Sequence, residues 1–166
     1  MKRSETKFNL MTEFTRQKLQ AELDKAEQSR KAALKRIGTA GDDSSGWHDS
    51  ADFDDANRTV EFHTAQSGLF GAKLQRVKLI KPRVETDTVE VGNSVIVEFE
   101  GENSPEVFTL LGPDDASRLP GWISHESPLG SSLRGKKAGD IVGYRLEESQ
   151  QEIRIRILEI KPGEFR

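Results

Sequence analysis

The stretch "LQAELDKAEQSRKAALKRI", Leu19 to Ile37, decides the reading of this chain. Leu19, Leu23, Ala26, Ala33 and Ile37 fall alternately four and three residues apart, once Arg30 is counted in the place between Ala26 and Ala33. That spacing keeps one face of a helix against a single partner helix, so it predicts a two-stranded coiled-coil seam with one polar break. Thr12 followed by Glu13 predicts a start near Met11, and Gly38 with Gly41 a stop.

The partner follows in the chain. Phe53, Ala56, Val60, His63, Ser67, Phe70, Leu74 and Val77 repeat the spacing, with Asp49 or Ser50 as cap and Pro82 as terminator. His63 and Ser67 weaken this seam, so Phe62 and Leu69 are expected to share the burial. Gly68 and Gly71 cost helix propensity, about 1 kcal/mol each against alanine, and suggest a close approach of the two helices. Two helices joined by a short connection fold back antiparallel. At 1.5 Å per residue the hairpin is about 40 Å long.

The connection is "GDDSSGWHDSADFDD", Gly41 to Asp55. It holds six aspartates and no lysine or arginine, whereas residues 1–41 carry ten Lys/Arg against five Asp/Glu and residues 56–82 five against one. An acidic point on basic stems is the charge pattern to explain. Asp52, Asp54 and Asp55 suit the positive start of the second helix. His48 beside Asp49 is too small a set for a transition metal, and His48, His63 and His125 show no ligand spacing. Trp47 either folds back over the hairpin end or stacks on a partner.

From residue 83 the pattern changes. Thr88–Val91, Ser94–Glu100, Val107–Leu111, Trp122–Ser124, Ile141–Leu146 and Ile153–Ile160 read as strands, with alternation clear in Ile153-Arg-Ile-Arg-Ile. Gly92-Asn93, Gly112-Pro113-Asp114-Asp115, Pro120-Gly121 and Gly139-Asp140 read as turns. "PLGSSLRGKK", Pro128 to Lys137, predicts a short helix closed by Gly135. The expected fold is α+β: an N-terminal antiparallel coiled-coil hairpin over 1–82, with its tip at about 41–50, and a small antiparallel sheet with one short helix over 83–166.

The chain has no cysteine, which excludes disulfides and thiolate zinc sites and suits a reducing cytoplasm. No apolar run reaches the length of a signal peptide core or a membrane span, so no membrane partner is expected.

Three segments carry a family resemblance. "ISHESPLGSSLRGKKAGDIV", Ile123 to Val142, resembles the signature near the end of the bacterial transcript-cleavage factors GreA and GreB. "KLQAEL", Lys18 to Leu23, is similar to the opening of their coiled coil, and "SADFDDA", Ser50 to Ala56, to the stretch past their tip. The resemblance runs from about Thr12 to Ile160. It implies an FKBP-like C-terminal domain that docks at the rim of the secondary channel of bacterial RNA polymerase, with the hairpin entering toward the active site. It also implies that tip carboxylates help hold the second magnesium ion while the polymerase cleaves the 3′ end of backtracked RNA. The factor would be no enzyme by itself and carry no cofactor of its own, the magnesium being held jointly with the polymerase. A monomer in the cytoplasm is expected.

Laid on the family's tip without gaps, this chain puts Asp49 where the family has Glu, and Gly46 where the family has its metal-holding Asp. Asp49 is then the expected metal or water ligand, with Asp42 and Asp43 as candidates for the missing carboxylate. A solvated loop with a helix cap is the plain alternative for all three. Arg36, Lys35 and Arg58, nearest the tip among the basic stem residues, are the candidates for contact with the nascent RNA 3′ end, since phosphate contacts need charge and no sequence reading. Ser127 and Pro128 are the candidates for partner docking, against the simpler role of starting the short helix. Prolyl isomerase activity is not implied by the sheet; Phe99, Phe108, Trp122 and Tyr144 are expected in the core. The two rival readings are a polymerase-binding factor that slows synthesis without cleavage, favoured by Gly46, and a free-standing interaction or isomerase module unrelated to transcription.

Overall fold

A computed structural model describes residues 8–40, 51–102, 104–116, 118–145 and 152–165. Two compact units emerge: residues 16–76, and residues 1–15 together with 77–166.

The first unit is the helical hairpin. Helix α1 spans Glu13–Ala40 and α2 spans Ala51–Leu74. Leu19, Ala26 and Ala33 are buried, with Leu23, Arg30 and Ile37 half-buried between them, so the α1 seam is the one the spacing dictates. On α2, Ala56 is fully buried and Phe53, Val60, His63, Ser67, Phe70 and Leu74 are half-buried. The break has a physical trace: the Arg30 Nε and the Ser67 hydroxyl are buried with no hydrogen-bond partner among the described residues. Phe62 and Leu69 do not share the burial as expected; they are 59% and 66% exposed. Gly68 and Gly71 mark no close approach, because a Cβ at either would meet nothing within 4 Å.

Helix α2 stops at Leu74, eight residues before Pro82. Arg76 adopts φ 54°, and the chain turns into strand β2, Val77–Leu79. That strand pairs in parallel with β1, Asn9–Met11, in the register Asn9↔Val77, Leu10↔Lys78, Met11↔Leu79. The two chain passages that flank the hairpin are therefore tied to each other. Both group with the sheet unit, along with the first turn of α1, although the sequence placed them with the hairpin.

The sheet has five strands: β3 (Asn93–Phe99), β4 (Glu106–Leu111), β5 (Trp122–Ser124), β6 (Ile141–Arg145) and β7 (Glu152–Pro162), in the order β5-β4-β3-β7-β6. The pairings β3–β4, β3–β7 and β6–β7 are antiparallel as expected, but β5 lies parallel to β4, which makes the sheet mixed. A parallel partner requires the chain to cross back between the two strands, and residues 112–121 make that crossing. Ile155 and Ile157 alternate inward on β7; a register shift opposite Ile96/Val97 then changes the phase, so that Ile160 rather than Glu159 points in. The core joins these three isoleucines to Val89, Val95, Val97, Leu110, Leu133 and Val142. Burying each such side chain contributes about 1.5–3 kcal/mol.

Thr88–Val91 is not a strand. It belongs to a loop stapled by Asn93, which is fully buried: its Oδ1 accepts from the Glu90 N–H at 3.0 Å and its Nδ2 donates to the Glu85 carbonyl at 2.9 Å. Val89 still enters the core, held by backbone bonds to Gly135 and Lys136. Helix α3, Pro128–Leu133, forms as expected and buries Leu133. It can lie on β5 because residue 130 is glycine: a Cβ there would sit 2.0 Å from the Ser124 carbonyl oxygen. Phe99, Phe108 and Tyr144 pack on the core as expected; Trp122 instead meets Phe165 edge to face, with ring centroids 6.4 Å apart.

Candidate functional site

The connection between α1 and α2, with Asp42, Asp43, Asp49, Gly46, Trp47 and His48, lies outside the described residues. The carboxylates expected at a shared magnesium ion, Asp42, Asp43 and Asp49, are thus known from the sequence alone. Among the described residues no group of three or more His, Asp or Glu side chains is arranged to hold a metal ion. No helix among them is long and apolar enough to cross a membrane.

Of the basic candidates, Lys35 and Arg36 are exposed in the last two turns of α1, and Arg58 is exposed in the second turn of α2. All three therefore lie near the helix ends that border the acidic connection. His63 is not a ligand here; its Nδ1 is 3.1 Å from the Gln66 side-chain oxygen, and its ring packs edge to face with Phe62.

Ser127 and Pro128 fall where β5 passes into α3. Ser127 is the N-cap: its hydroxyl accepts from the Gly130 N–H at 3.1 Å and donates to the Ser124 carbonyl at 2.7 Å. Pro128 follows at the first helical position, where a missing N–H costs nothing, and it is exposed. The simpler role therefore holds for the Ser127 side chain, and Pro128 is the residue that offers surface.

One constellation escaped the sequence reading. Asp115, whose sequence context predicts a turn, is also fully buried. Its Oδ2 accepts from the Thr12 N–H at 2.9 Å, and its Oδ1 accepts from the hydroxyls of Thr12, at 2.5 Å, and Thr15. Thr12 in turn caps α1, its oxygen accepting from the Thr15 N–H at 3.3 Å. Arg118 donates to the Thr15 hydroxyl oxygen and lies over the Phe14 ring, 4.3 Å from its centroid. Donor and acceptor are about a hundred residues apart in the chain, and no local pattern links them.

Comparison with known proteins bears on what these elements are for. The family described as "Transcription elongation factor, GreA/GreB, C-term" matches residues 84–162. The transcription elongation factor GreA of Chloroflexus aggregans is 33% identical over 132 residues, which cover 76% of this chain and 82% of that protein. This chain belongs to the GreA/GreB transcription elongation factor family. GreA of Thermoanaerobacter pseudethanolicus is 32% identical over 114 residues, covering 68% of this chain and 71% of its own length. Among solved structures, GreA factor homolog 1 of Thermus thermophilus overlaps more loosely, with a TM-score of 0.41 at 19% identity, over 93% of this chain and 99% of that one. As a GreA/GreB member, the chain has its family match in the sheet unit, over residues 84–162.

Proposed function

We propose that this chain binds bacterial RNA polymerase at the secondary channel and presents its acidic connection near the catalytic magnesium, stimulating cleavage of backtracked RNA. The observation that carries the reading is the run of six aspartates without a base between Asp42 and Asp55, three of them on the link between two long helices and three at the start of the second, in a GreA/GreB family member. Asp49 is the proposed ligand to the ion or its water, assisted by Asp42 or Asp43. Carboxylate oxygens are the hard donors magnesium takes, and one or two from any one protein suffice. In a shared site of this kind the ion supplies charge stabilisation and an activated water within the polymerase; the chain adds ligands and no phosphoryl chemistry of its own. Arg36, Lys35 and Arg58 contact the RNA 3′ segment through phosphates, and Pro128, with Ser127 holding its turn, docks on the polymerase. The acting form is a monomer in the cytoplasm, where the polymerase is.

A second reading rests on Gly46. With one carboxylate of the family pair replaced by glycine, the connection would occupy the channel and slow synthesis without cleavage. Backtracked elongation complexes separate the two. The first reading expects shortened RNA that Asp49→Ala abolishes; the second expects slowed extension and intact RNA. Recovery of no polymerase subunits on the immobilised chain would overturn both, in favour of a module unrelated to transcription.

A further inference from the structure

We propose that the sheet unit carries a binding site for an extended, proline-containing peptide with a flanking basic residue, in the hollow between Phe14, Arg118, Leu119, Trp122, Glu164 and Phe165. All six residues belong to that unit. The hollow holds about 350 Å³, at the lower end of the range for ligand sites, so it takes a short segment and not a folded partner. Its apolar surface stands in water: Phe14 and Leu119 are 55% and 54% exposed, and Trp122 and Phe165 are half-buried. The walls are nonetheless held. Trp122 is fixed in β5 by its pairing with Thr109 and by its backbone N–H on the Leu119 carbonyl at 3.1 Å. Phe165 folds back over Gly163, where a Cβ would stand 2.6 Å from its ring. Walls already in place spare a ligand much of the ordering cost of binding.

Shape and polar groups together select the ligand. The Trp122 and Phe165 rings are inclined at 78° to each other. Parallel faces would sandwich a flat ring, whereas a corner of this kind seats a puckered one such as pyrrolidine. The polar side-chain groups are mostly donors. The Trp122 indole N–H has no acceptor among the described residues, and Arg118 commits one N–H to the Thr15 hydroxyl oxygen and its flat face to Phe14. The ligand therefore has to bring acceptors and few donors. A prolyl segment does so, because proline has no N–H and the polyproline II helix leaves its carbonyls free of internal hydrogen bonds. Such preformed segments dock in aromatic-lined grooves. Glu164 adds a charge preference. It is exposed, has no ion pair among the described residues, and lies in a stretch, residues 83–166, with ten Lys/Arg against sixteen Asp/Glu. A basic residue beside the prolines complements it.

Trp47→Phe leaves Trp122 as the lone tryptophan of the chain. In that background, a polyproline peptide with arginine at both ends is expected to shift Trp122 emission to the blue, with half-saturation below about 1 mM. The same peptide ended in glutamate, and a Gly-Ser peptide ended in arginine, are expected to bind about tenfold more weakly. Glu164→Gln should remove the preference for arginine over glutamate ends. Phe165→Leu, which keeps apolar bulk but no ring, should weaken the polyproline peptide about tenfold; if it does not fold, Phe14→Ala takes its place. Absence of saturation, equal binding of Gly-Ser and polyproline peptides, or variants that bind as the parent does overturn the proposal. So does an emission shift that follows the concentration of the chain alone, which would put a second copy in the hollow. None of these measurements uses polymerase, so their outcome is separate from that of the function proposed above.

Discussion

Ser127 and Gly130 close the first turn of α3 across the edge of the sheet: the serine oxygen accepts the glycine N–H, while the serine hydroxyl holds the end of β5 through Ser124. Strand end and helix start thus share one side chain. Ser127→Ala is expected to cost about 1 kcal/mol, the usual worth of such a cap, and Ser127→Thr, which keeps both bonds, to recover most of it. Chemical denaturation followed by tryptophan fluorescence reads the difference. An alanine variant as stable as the parent would show that the cap contributes nothing. Pro128→Ala, by contrast, is expected to change stability little and to weaken binding to the polymerase.

The contrast between Ser127 and Asp115 shows where the sequence is legible. Ser127 stands directly before Pro128, a capping residue ahead of a first-turn proline, and that local signal makes its turn and helix legible. The α1 seam was equally readable, because 3.5-residue spacing persists from Leu19 to Ile37. Strands β1 and β2 could not be read. Three residues are too few for a period to appear, and α2 gives way to β2 at Gln75-Arg76 with no glycine, proline or asparagine to announce it. The parallel placement of β5 was hidden for the same reason. Asp115 looked like a turn residue because it is one; its burial depends on Thr12 and Thr15, brought in from the other end of the chain. The acidic connection is the reverse case, plain in sequence and outside the described structure.

The lone tyrosine offers a test of the sheet's far edge. Burial raises the Tyr144 phenol above its ordinary value, and the negative charge of Glu106 adds to the shift. The neutral phenol is the form the fold favours. Its contribution to stability is whole below the ordinary value near 10 and is lost as pH rises through the higher folded value. Phenolate absorbance of the native chain should therefore titrate at higher pH than that of the denatured chain. Glu106→Gln should bring the native midpoint part of the way down, and salt should mimic it, because Glu106 is exposed. Coincident native and denatured midpoints would contradict the assignment.

Asn93 is the staple on which the loop before β3 depends. Asn93→Ala removes the acceptor for the Glu90 N–H and the donor to the Glu85 carbonyl, and opens a small void in a fully buried place. Unsatisfied buried groups cost about 1–3 kcal/mol each, so a loss at the upper end of that range is expected. Asn93→Asp should do no better, since a carboxylate cannot donate to the carbonyl oxygen of Glu85. Native-state hydrogen exchange would place the damage: the Glu90 amide should lose protection at once, while the Val95 amide in the sheet should follow only the fall in global stability.

The hairpin carries a defect of the opposite kind. The Arg30 Nε and the Ser67 hydroxyl are buried in the seam without partners among the described residues, where the spacing calls for apolar side chains. Arg30→Leu removes an orphaned donor and continues the run from Ala26 to Ala33. It should raise the midpoint of helix unfolding, read by circular dichroism in urea, by about 1 kcal/mol in stability. Ser67→Ala should act in the same direction by a smaller amount, and if the two sites share one strained stretch of seam, the double variant will depart from the sum of the singles. Arg30→Leu also deletes a positive charge from the stem that borders the proposed RNA path. A variant that is more stable yet needs lower salt to act on the polymerase would mean that the guanidinium is retained for its charge, at the expense of the seam. A fall in the unfolding midpoint would instead show that the rest of the guanidinium stabilises the hairpin by more than its buried nitrogen costs.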